Sequence, residues 1–437
     1  MKKNFTLAPI FKDNMMFQAN KPIQIFGTCK KGVEIKVNFL NQTCRLKTKS
    51  TEFIIELDPY YVIDKGFSFT VYTKKQEETF NNCLVGDIFL FVGGMNVNLP
   101  LKDSKHQEDL NRQNIRFLDV KDAINEDDDD YYLWKTPGIE SFGDDSAIAY
   151  MFAKEMSKKL ETPIGIIACS KGDSSIFSLL GEIDIKSHIG LYNYVEENRD
   201  DIDSLNISLL FERVIMKLAP MALNSIVIYQ GENDYKHSDL YEVCVSRIIK
   251  SYRMLFKDNK LPFVIVQLAG HNYPDADKES IGHIRNVQSC IIDDSKRIFI
   301  ATAVDIGDKE ALILKDKQQI ANRISNVVLE KLFNRGKNSI SPSYYSYKRE
   351  EDGIVIYTKN NYLDLVSRSG RFQGFVGTKD GKEFFDLKNV SILKDRIIIK
   401  RIQDIREIRY AYDKYPACDI YTTNNLPLLP FKIKLIE

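Results

Sequence analysis

The stretch GDIFLFVGG (residues 86–94) has the length and composition of a buried β-strand that ends in two glycines. Amphipathic and apolar segments alternate after it: SAIAYMFAKEMSKKL (146–160), PIGIIAC (163–169), NSIVIYQGE (224–232), LYEVCVSRIIKSYRMLF (240–256) and PFVIVQLAG (262–270). Strand and helix signals that alternate in this way predict strands joined by right-handed crossovers. We therefore expect an α/β domain at residues 85–335, in which helices flank a largely parallel sheet.

The regions before and after this domain have a different sequence pattern, in which strand signals predominate. Short β-rich runs such as IQIFG and VEIKVNF lie before residue 84, and turn residues separate them. Strand signals return after residue 336, with turn pairs at Asp352-Gly353, Ser369-Gly370 and Asp380-Gly381. The sequence predicts antiparallel β modules at residues 1–84 and 336–437.

Composition excludes several classes of protein. A chain of 437 residues with 43% hydrophobic content can build a substantial core, so intrinsic disorder is excluded as its main state. Lys and Arg total 61, as do Asp and Glu, so no net charge attracts nucleic acid. No apolar run reaches the roughly 18 residues that span a bilayer. We expect neither a nucleic-acid nor a membrane partner.

The cysteines and the first residues bear on localisation. The opening MKKNFTLAPIFKDN lacks an apolar segment long enough for a signal peptide. Seven cysteines are scattered along the chain without a CxxC pair or a histidine cluster. We expect reduced thiols in a cytoplasmic protein, with no metal site and no cofactor.

Two local features have competing interpretations. The acidic run from Glu126 to Asp130 favours an exposed loop through self-repulsion, and a calcium site is the alternative. Trp134, the only tryptophan, follows this run beside Tyr131 and Tyr132. We favour packing in the protein for Trp134, with stacking against a sugar ring as the alternative.

Three predicted strands end in loops suited to binding. The loops are GGMN (93–96), CSKGDS (169–174) and YQGEND (229–234). Ligands of open parallel sheets bind beyond the carboxyl ends of the strands. Gly172 allows close backbone approach and Asn233 offers an amide donor, so the loops could polarise a carbonyl or phosphoryl oxygen. Ordinary turn formation is the alternative role of these glycines.

Five segments also occur in the order of a known family: GDIFLFVGGMNVNLPL (86–101), PIGIIACSKGDSSI (163–176), IYQGENDY (228–235), HIRNVQ (283–288) and DIGDKEALILKDKQQIANRI (305–324). They resemble blocks of the sialate O-acetylesterase branch of the SGNH hydrolases, whose first block has the form GDVWLCSGQSNMEMPL and whose last contains DIHP. Segments at 7–32, 374–384 and 408–432 also resemble the family, so the resemblance covers nearly the whole chain.

The resemblance implies a fold and an activity. The fold would be the SGNH type, a flavodoxin-like parallel sheet, and the activity removal of acetyl groups from sugar hydroxyls, in sialic acids and plant polysaccharides. The family's nucleophile is the serine of GQSNM, and the Asp and His of DIHP complete its triad. Backbone groups, the glycine of the second block and the asparagine of the third hold the oxyanion.

The triad positions depart from the family pattern. Carried over by register, the serine falls on Met95, the aspartate on Ala311 and the histidine on Ile313. A thioether has no proton to lose, and neither Ala311 nor Ile313 can act as a base. Gly172 and Asn233 match the oxyanion positions, and Gln230 and Glu232 match polar residues beside them. The resemblance therefore implies that the oxyanion-binding residues are retained, whereas the serine, aspartate and histidine of the triad are lost.

Three hypotheses follow from this departure. The first is a pseudoenzyme that binds an acetylated or plain sugar. The second is an active carbohydrate O-acetylesterase with a relocated nucleophile, Ser170 or Ser174, and His271 as its base. The third is a structural subunit in which Met95 and Ile313 fill the old pocket and a protein partner binds the β modules. The sequence gives no preference between binding and scaffolding.

Other polar residues receive no catalytic role from the sequence. The remaining histidines are scattered: His106, His188, His237 and His283. A lone loop histidine such as His271 is usually exposed or structural. Four residues in family blocks are expected to form helix-surface ion pairs or sheet-edge hydrogen bonds: Arg285, Gln288, Lys317 and Arg323.

Overall fold

The computed structural model describes residues 3–105, 114–126, 128–136, 142–198, 206–360 and 363–435. The chain divides into two compact units. The first comprises Met1–Ile228, Cys244–Phe263 and Lys315–Gln318, and the second comprises Tyr229–Val243, Val264–Leu314 and Gln319–Glu437. The three-part division at residues 84 and 335 stays a prediction.

Strands dominate the start of the first unit, and helices follow them. The strands are β1 (Phe5–Leu7), β2 (Met16–Gln18), β3 (Ile23–Cys29), β4 (Glu34–Phe39), β5 (Gln42–Lys47), β6 (Glu52–Leu57), β7 (Ile63–Tyr72), β8 (Glu77–Gly93), β9 (Ile115–Asp119), β10 (Ile164–Ser170) and β11 (Ser225–Tyr229). The helices are α1 (Met95–Asn98), α2 (Lys121–Glu126), α3 (Ala147–Leu160), α4 (Glu182–Lys186), α5 (Ile189–Glu197), α6 (Met216–Leu218), which continues a π-helical turn at Phe211–Ile215, and most of α7 (Tyr241–Leu255).

One long strand, β8, joins two kinds of sheet in the first unit. Its beginning pairs antiparallel with β7, from Tyr72 opposite Glu77 to Ile63 opposite Val85. Its end pairs parallel with β10, with Ser170 opposite Gly93. β10 also pairs parallel with β9. The apolar run within residues 86–94 is fully buried, as expected of a strand covered on both faces.

Aromatic side chains pack α3 against β8 and also pack the N-terminal strands together. The Phe152 ring of α3 lies 4.9 Å from the Phe89 ring and 5.1 Å from the Phe91 ring, both edge to face. The N-terminal strands form the antiparallel sheet β1-β3-β6 and the path β7-β4-β5, which continues from β8. Phenylalanine rings also pack edge to face there, Phe17 against Phe39 at 4.9 Å and Phe11 against Phe26 at 5.2 Å.

The second unit combines two sheet strands with a larger β module. Its strands are β12 (Phe263–Gln267), β13 (Ile298–Thr302), β14 (Ser343–Glu350), β15 (Gly353–Lys359), β16 (Leu365–Ser367), β17 (Phe375–Thr378), β18 (Phe385–Asp386), β19 (Val390–Leu393), β20 (Arg396–Lys400), β21 (Glu407–Tyr410), β22 (Ile420–Thr422) and β23 (Phe431–Lys434). Its helices are α8 (Lys278–Cys290) and α9 (Gln318–Phe333), whose first residue belongs to the first unit.

In the described residues of the C-terminal β module, the paired strands are antiparallel. Its sheets run β14-β15-β20-β19, β18-β17-β21-β23 and β16-β22. Isoleucines, leucines and aromatic rings from these sheets form one buried core, including Ile356, Ile397, Ile408 and Tyr410. Among the described residues, no helix is long and apolar enough to cross a membrane.

The predicted α/β class with antiparallel β modules is confirmed. The central sheet is mixed rather than wholly parallel, because β8 extends beyond the predicted strand and pairs with β7. Trp134 is buried, and its indole nitrogen donates to the Ile10 carbonyl at 3.0 Å. This confirms packing as its role, since a buried ring cannot stack on a sugar.

Close backbone approach at Gly86 gives a stability prediction. A Cβ there would lie 2.2 Å from the carbonyl oxygen of Pro163, a backbone atom that cannot move aside cheaply. We expect Gly86→Ala to lower the free energy of unfolding by about 1–3 kcal/mol, measured by urea denaturation. Gly190→Ala in α5 is the control, because its nearest contact of 3.5 Å is ordinary. Equal stability of the two variants would contradict the prediction.

A buried carboxyl in β8 gives a pH prediction. Asp87 Oδ1 accepts hydrogen bonds from Gln18 Nε2 and Asn224 Nδ2, both at 2.9 Å. Burial raises the pKa of Asp87 above its ordinary 3.8, so the folded state holds this proton more tightly than the unfolded chain. The contribution is present at low pH and is lost as the pH rises from about 4 through the folded-state pKa.

Asp87→Asn removes this titration and keeps an oxygen for both donors. We expect the free energy of unfolding of the native chain to fall relative to the variant as the pH rises from about 4. Urea denaturation at several pH values measures the difference. Parallel stability profiles of the two proteins would contradict it.

Candidate functional site

The turn after β8 places Met95 at the start of a helix. Gly93 ends the strand, Gly94 caps the helix, and Met95 is the first residue of α1. The backbone N–H groups of Val97 and Asn98 both donate to the Gly94 carbonyl, at 3.1 and 3.0 Å. A sharp strand-to-helix turn is where some hydrolase folds present a nucleophile, yet the side chain here is a half-buried thioether.

The loop after β10 meets the Met95 turn within the first unit. A Cβ on Gly172 would lie 3.8 Å from Met95 Cγ and 3.5 Å from Asn98 Nδ2. The Ser170 hydroxyl donates to Asn98 Oδ1 at 3.3 Å. The structure therefore brings Met95, Ser170 and Gly172 together, as expected of loops that follow adjacent parallel strands.

Ser174 lies in a local turn of the same loop. Its side chain is buried, and its hydroxyl donates to the Lys171 carbonyl at 2.7 Å. The backbone N–H of Ser174 also donates to that carbonyl, at 3.2 Å. These bonds give Ser174 a structural role in closing the turn; its role as a nucleophile stays a prediction.

A buried lysine supports the Met95 turn. Lys317 is completely buried, and its ammonium donates to Asn96 Oδ1 at 2.5 Å. Asn96 is the residue next to Met95 and is itself buried. The expectation of a helix-surface ion pair for Lys317 is wrong, because the side chain points inward and holds a loop that begins more than two hundred residues earlier.

The loop after β11 supplies Asn233 in the second unit. The carbonyl of Gln230 accepts from Tyr241 Oη at 2.8 Å and from Gln288 Nε2 at 3.3 Å. Gln288 also donates to Tyr241 Oη at 3.0 Å, so the loop is held from two sides. Asn233 is half-buried at its outer end. Gln288 is thus a buried loop support rather than a surface residue.

The loop after β13 contains Ala311 and Ile313, the positions predicted for the triad aspartate and histidine. Asp308 Oδ1 accepts from the backbone N–H groups of Glu310 and Ala311, at 2.8 and 3.0 Å. These bonds lower the pKa of the Asp308 carboxyl. Ala311 is exposed and Ile313 is half-buried. The turn is therefore well formed, although neither side chain can take up a proton.

A buried ion pair anchors the base of the same loop. Both guanidinium nitrogens of Arg323 donate to the two oxygens of Asp305, at 2.5 and 2.9 Å. Arg323 also donates to the Thr302 carbonyl at 2.8 Å. The ion pair expected for Arg323 is present, but it is buried rather than on the helix surface.

His271 lies beside this loop in the second unit. Its Nδ1 is 3.1 Å from the Asp308 carbonyl oxygen, and its backbone N–H donates to the Lys414 carbonyl at 3.0 Å. A carbonyl oxygen only accepts, so Nδ1 donates the hydrogen bond. The histidine is buried, and these two bonds give it a structural role.

Arg285 is the support that sequence reasoning missed most clearly. It is completely buried, and it donates to the carbonyls of Leu268 at 2.9 Å and Ala269 at 2.6 Å. It also donates to the carbonyls of Asp413 and Lys414. Its partners include carbonyls just beyond the end of β12, so the expected alternative of sheet-edge hydrogen bonds describes this residue better than a helix-surface ion pair.

The structure offers no clear metal centre. Within the described ranges, no group of three or more His, Cys, Asp or Glu side chains could hold a metal ion. Asp127 of the acidic run and His106 lie outside the described residues. The calcium alternative at Glu126–Asp130 therefore stays a prediction.

Comparison with known proteins gives concordant results. Residues 143–321 match the family model of the carbohydrate esterases described as sialic acid-specific acetylesterase. Human sialate O-acetylesterase is 24% identical over 367 residues, which cover 73% of this chain and 69% of that protein. The rat protein is 22% identical over 386 residues, covering 71% of each chain.

A solved structure shows the same fold. A carbohydrate acetylesterase from Xanthomonas citri superposes with a TM-score of 0.84 at 21% identity, covering 99% of this chain and 100% of that one. The sequence matches and the order of the strand-end loops agree with this likeness. Residues 143–321 thus match the sialic acid-specific acetylesterase family of carbohydrate esterases, and the chain as a whole is similar to sialate O-acetylesterases.

Proposed function

We propose that this chain binds carbohydrate at the family's strand-end loops and lacks serine-esterase activity. One observation supports this most strongly: the loops are held in place by hydrogen bonds, while Met95, Ala311 and Ile313 stand at the positions predicted for the reacting groups. Triad residues act as a unit, so their loss leaves at most about 10³–10⁴-fold acceleration over water.

The exposure of these residues favours binding over a filled pocket. Ala311 is exposed, and Met95 and Ile313 are half-buried, as are Gly172 and Asn233. Side chains that sealed a disused pocket would be fully buried and closely packed. A scaffold role with a protein partner is therefore the less favoured hypothesis.

An active esterase is the second candidate, and His271 is the observation that favours it. In this candidate His271 would act as the base and Ser170 as the nucleophile. Ser174 is less suited, because its hydroxyl already donates within its own turn. The catalytic step would need Ser170 to give up its bond to Asn98.

We also propose a cytoplasmic location. The seven cysteines are free thiols in the structure, which supports a reducing compartment. Burial raises the pKa of the Cys169 thiol in β10, so this residue is a poor nucleophile near neutral pH.

Hydrolysis assays test the loss of activity. With 4-nitrophenyl acetate and an O-acetylated sialic acid, we expect the native chain to stay within about tenfold of a Gly172→Ala/Asn233→Ala variant. The reason is that no group at the triad positions can attack the ester. Turnover by the native chain near 1 s⁻¹ or above would contradict the proposal.

The single variant Met95→Ser is the sharper control. It restores a hydroxyl but leaves Ala311 and Ile313 in place, so we expect less than about tenfold gain in rate. A larger gain would show that a base is already in position. If His271→Ala then removed that gain, His271 would be that base. Native activity lost in Ser170→Ala would replace the present proposal with the active-esterase candidate.

Thermal unfolding tests the binding half of the proposal. Saturating N-acetylneuraminic acid or its O-acetylated form should raise the melting temperature on the order of a few degrees, since a ligand of the folded state stabilises it. Asn233→Ala should reduce the shift, and Asn389→Ala, an exposed change in the C-terminal β module, should not. No shift with either sugar, together with a protein that co-purifies, would favour the scaffold hypothesis.

A further inference from the structure

The C-terminal β module contains a cleft that none of the functional loops uses. It encloses about 510 Å³, and its lining comes from the turn at 371–374, the strand end at 386–388 and the loop at 411–417. This volume lies within the range of about 300–1,000 Å³ typical of small-molecule sites. All of its lining belongs to the second unit.

One wall of the cleft is held in an unfavourable backbone conformation. Phe372 has a φ of +54° and Ala411 a φ of +50°, which are left-handed values that side chains other than glycine rarely adopt. Gly374 between them has a φ of +92°, and a Cβ there would lie 2.3 Å from the Ala417 carbonyl oxygen. Such strain persists where the surroundings enforce it, and it concentrates at functional sites.

A buried carboxylate enforces the conformation of this wall. Asp419 accepts from the backbone N–H groups of Ser369 at 2.8 Å and Gln373 at 3.1 Å. It also accepts from the hydroxyls of Ser367 at 2.7 Å and Ser369 at 3.0 Å. The turn that presents Arg371, Phe372 and Gln373 to the cleft is therefore preorganised.

The loop at 413–415 that also lines the cleft is fixed as well. Arg285 donates to the carbonyls of Asp413 and Lys414, and the Lys414 ammonium donates to the carbonyls of Tyr273 at 3.1 Å and Ala276 at 3.0 Å. Tyr415 follows this anchored pair and keeps 48% of its surface exposed. A large aromatic ring is thus displayed on a rigid loop.

The remaining side chains suit a neutral polyhydroxylated ligand. Arg371 and Lys388 balance Asp386 and Asp413, so the cleft has no net charge. In the described part of the chain, no side-chain hydrogen bond or ion pair occupies Arg371, Gln373, Asp386 or Lys388. Sugar hydroxyls both donate and accept, so they match this mixture, whereas an anion would face two carboxylates.

We propose that this cleft is a second carbohydrate site, which binds a neutral saccharide with its ring stacked on Tyr415. Phe372 provides an apolar surface on the other wall, and the charged and amide side chains bind the hydroxyls. The proposal goes beyond the function proposed above and does not depend on the loops that contain Met95, Gly172, Asn233, Ala311 and Ile313.

Calorimetric titration of the full chain with xylohexaose, mannohexaose and maltohexaose tests it. We expect at least one to bind with a Kd below ~1 mM. Tyr415→Ala should weaken that binding by about tenfold, the effect of losing one aromatic contact. Tyr345→Ala is the matched control, because Tyr345 is a 68% exposed tyrosine in β14 of the same module, outside the cleft. Thermal unfolding verifies that both variants are folded.

Two results would overturn the second site. No binding by any of the three hexasaccharides would do so, as would binding that Tyr415→Ala and Tyr345→Ala weaken equally or not at all. Binding lost in Asn233→Ala but intact in Tyr415→Ala would support the function proposed above and reject the cleft. Binding lost in Tyr415→Ala but intact in Asn233→Ala would support the cleft alone.

Discussion

The pairing of β8 is the constraint on which the first unit depends. This strand forms antiparallel hydrogen bonds with β7 in its first part and parallel ones with β10 in its second, so a slip in its register would disturb both sheets. The register sets Gly93 opposite Ser170, and the two strand-end loops then begin side by side. Met95 and Gly172 face each other for this reason.

Contacts that hold the loops do not involve the side chains at the predicted reacting positions. Asn96 is bound by Lys317 next to Met95, and Asp308 caps the turn before Ala311 through backbone N–H groups. Replacement of the side chains at these positions would therefore leave the conformation of the loops unchanged. This separation explains, in physical terms, how a chain can lose hydrolytic chemistry and keep a surface that binds the same class of ligand.

The sequence predicts the strand-end loops well, because a buried strand followed by glycines has a strong local pattern. It also predicts the α/β class and the flanking β modules. It does not predict the supports: Lys317, Arg285 and Gln288 look like surface residues, since charged and amide side chains usually are. Their partners are distant in sequence: Arg285 and the Asp413 carbonyl it binds are 128 positions apart. The sequence does not predict the strained turn at Phe372 either, because Asp419, which holds this turn, is also distant from it in sequence.

The most direct measurement of the central claim is intact-protein mass spectrometry after incubation with a fluorophosphonate. This reagent forms a phosphonate ester with an activated serine and releases fluoride, so it reports the nucleophile without any choice of sugar. We predict that the native chain keeps its unmodified mass, because Met95 offers no hydroxyl and no base stands at residues 311 and 313. Stoichiometric addition of one phosphonyl group, abolished by Ser170→Ala or His271→Ala, would contradict the account.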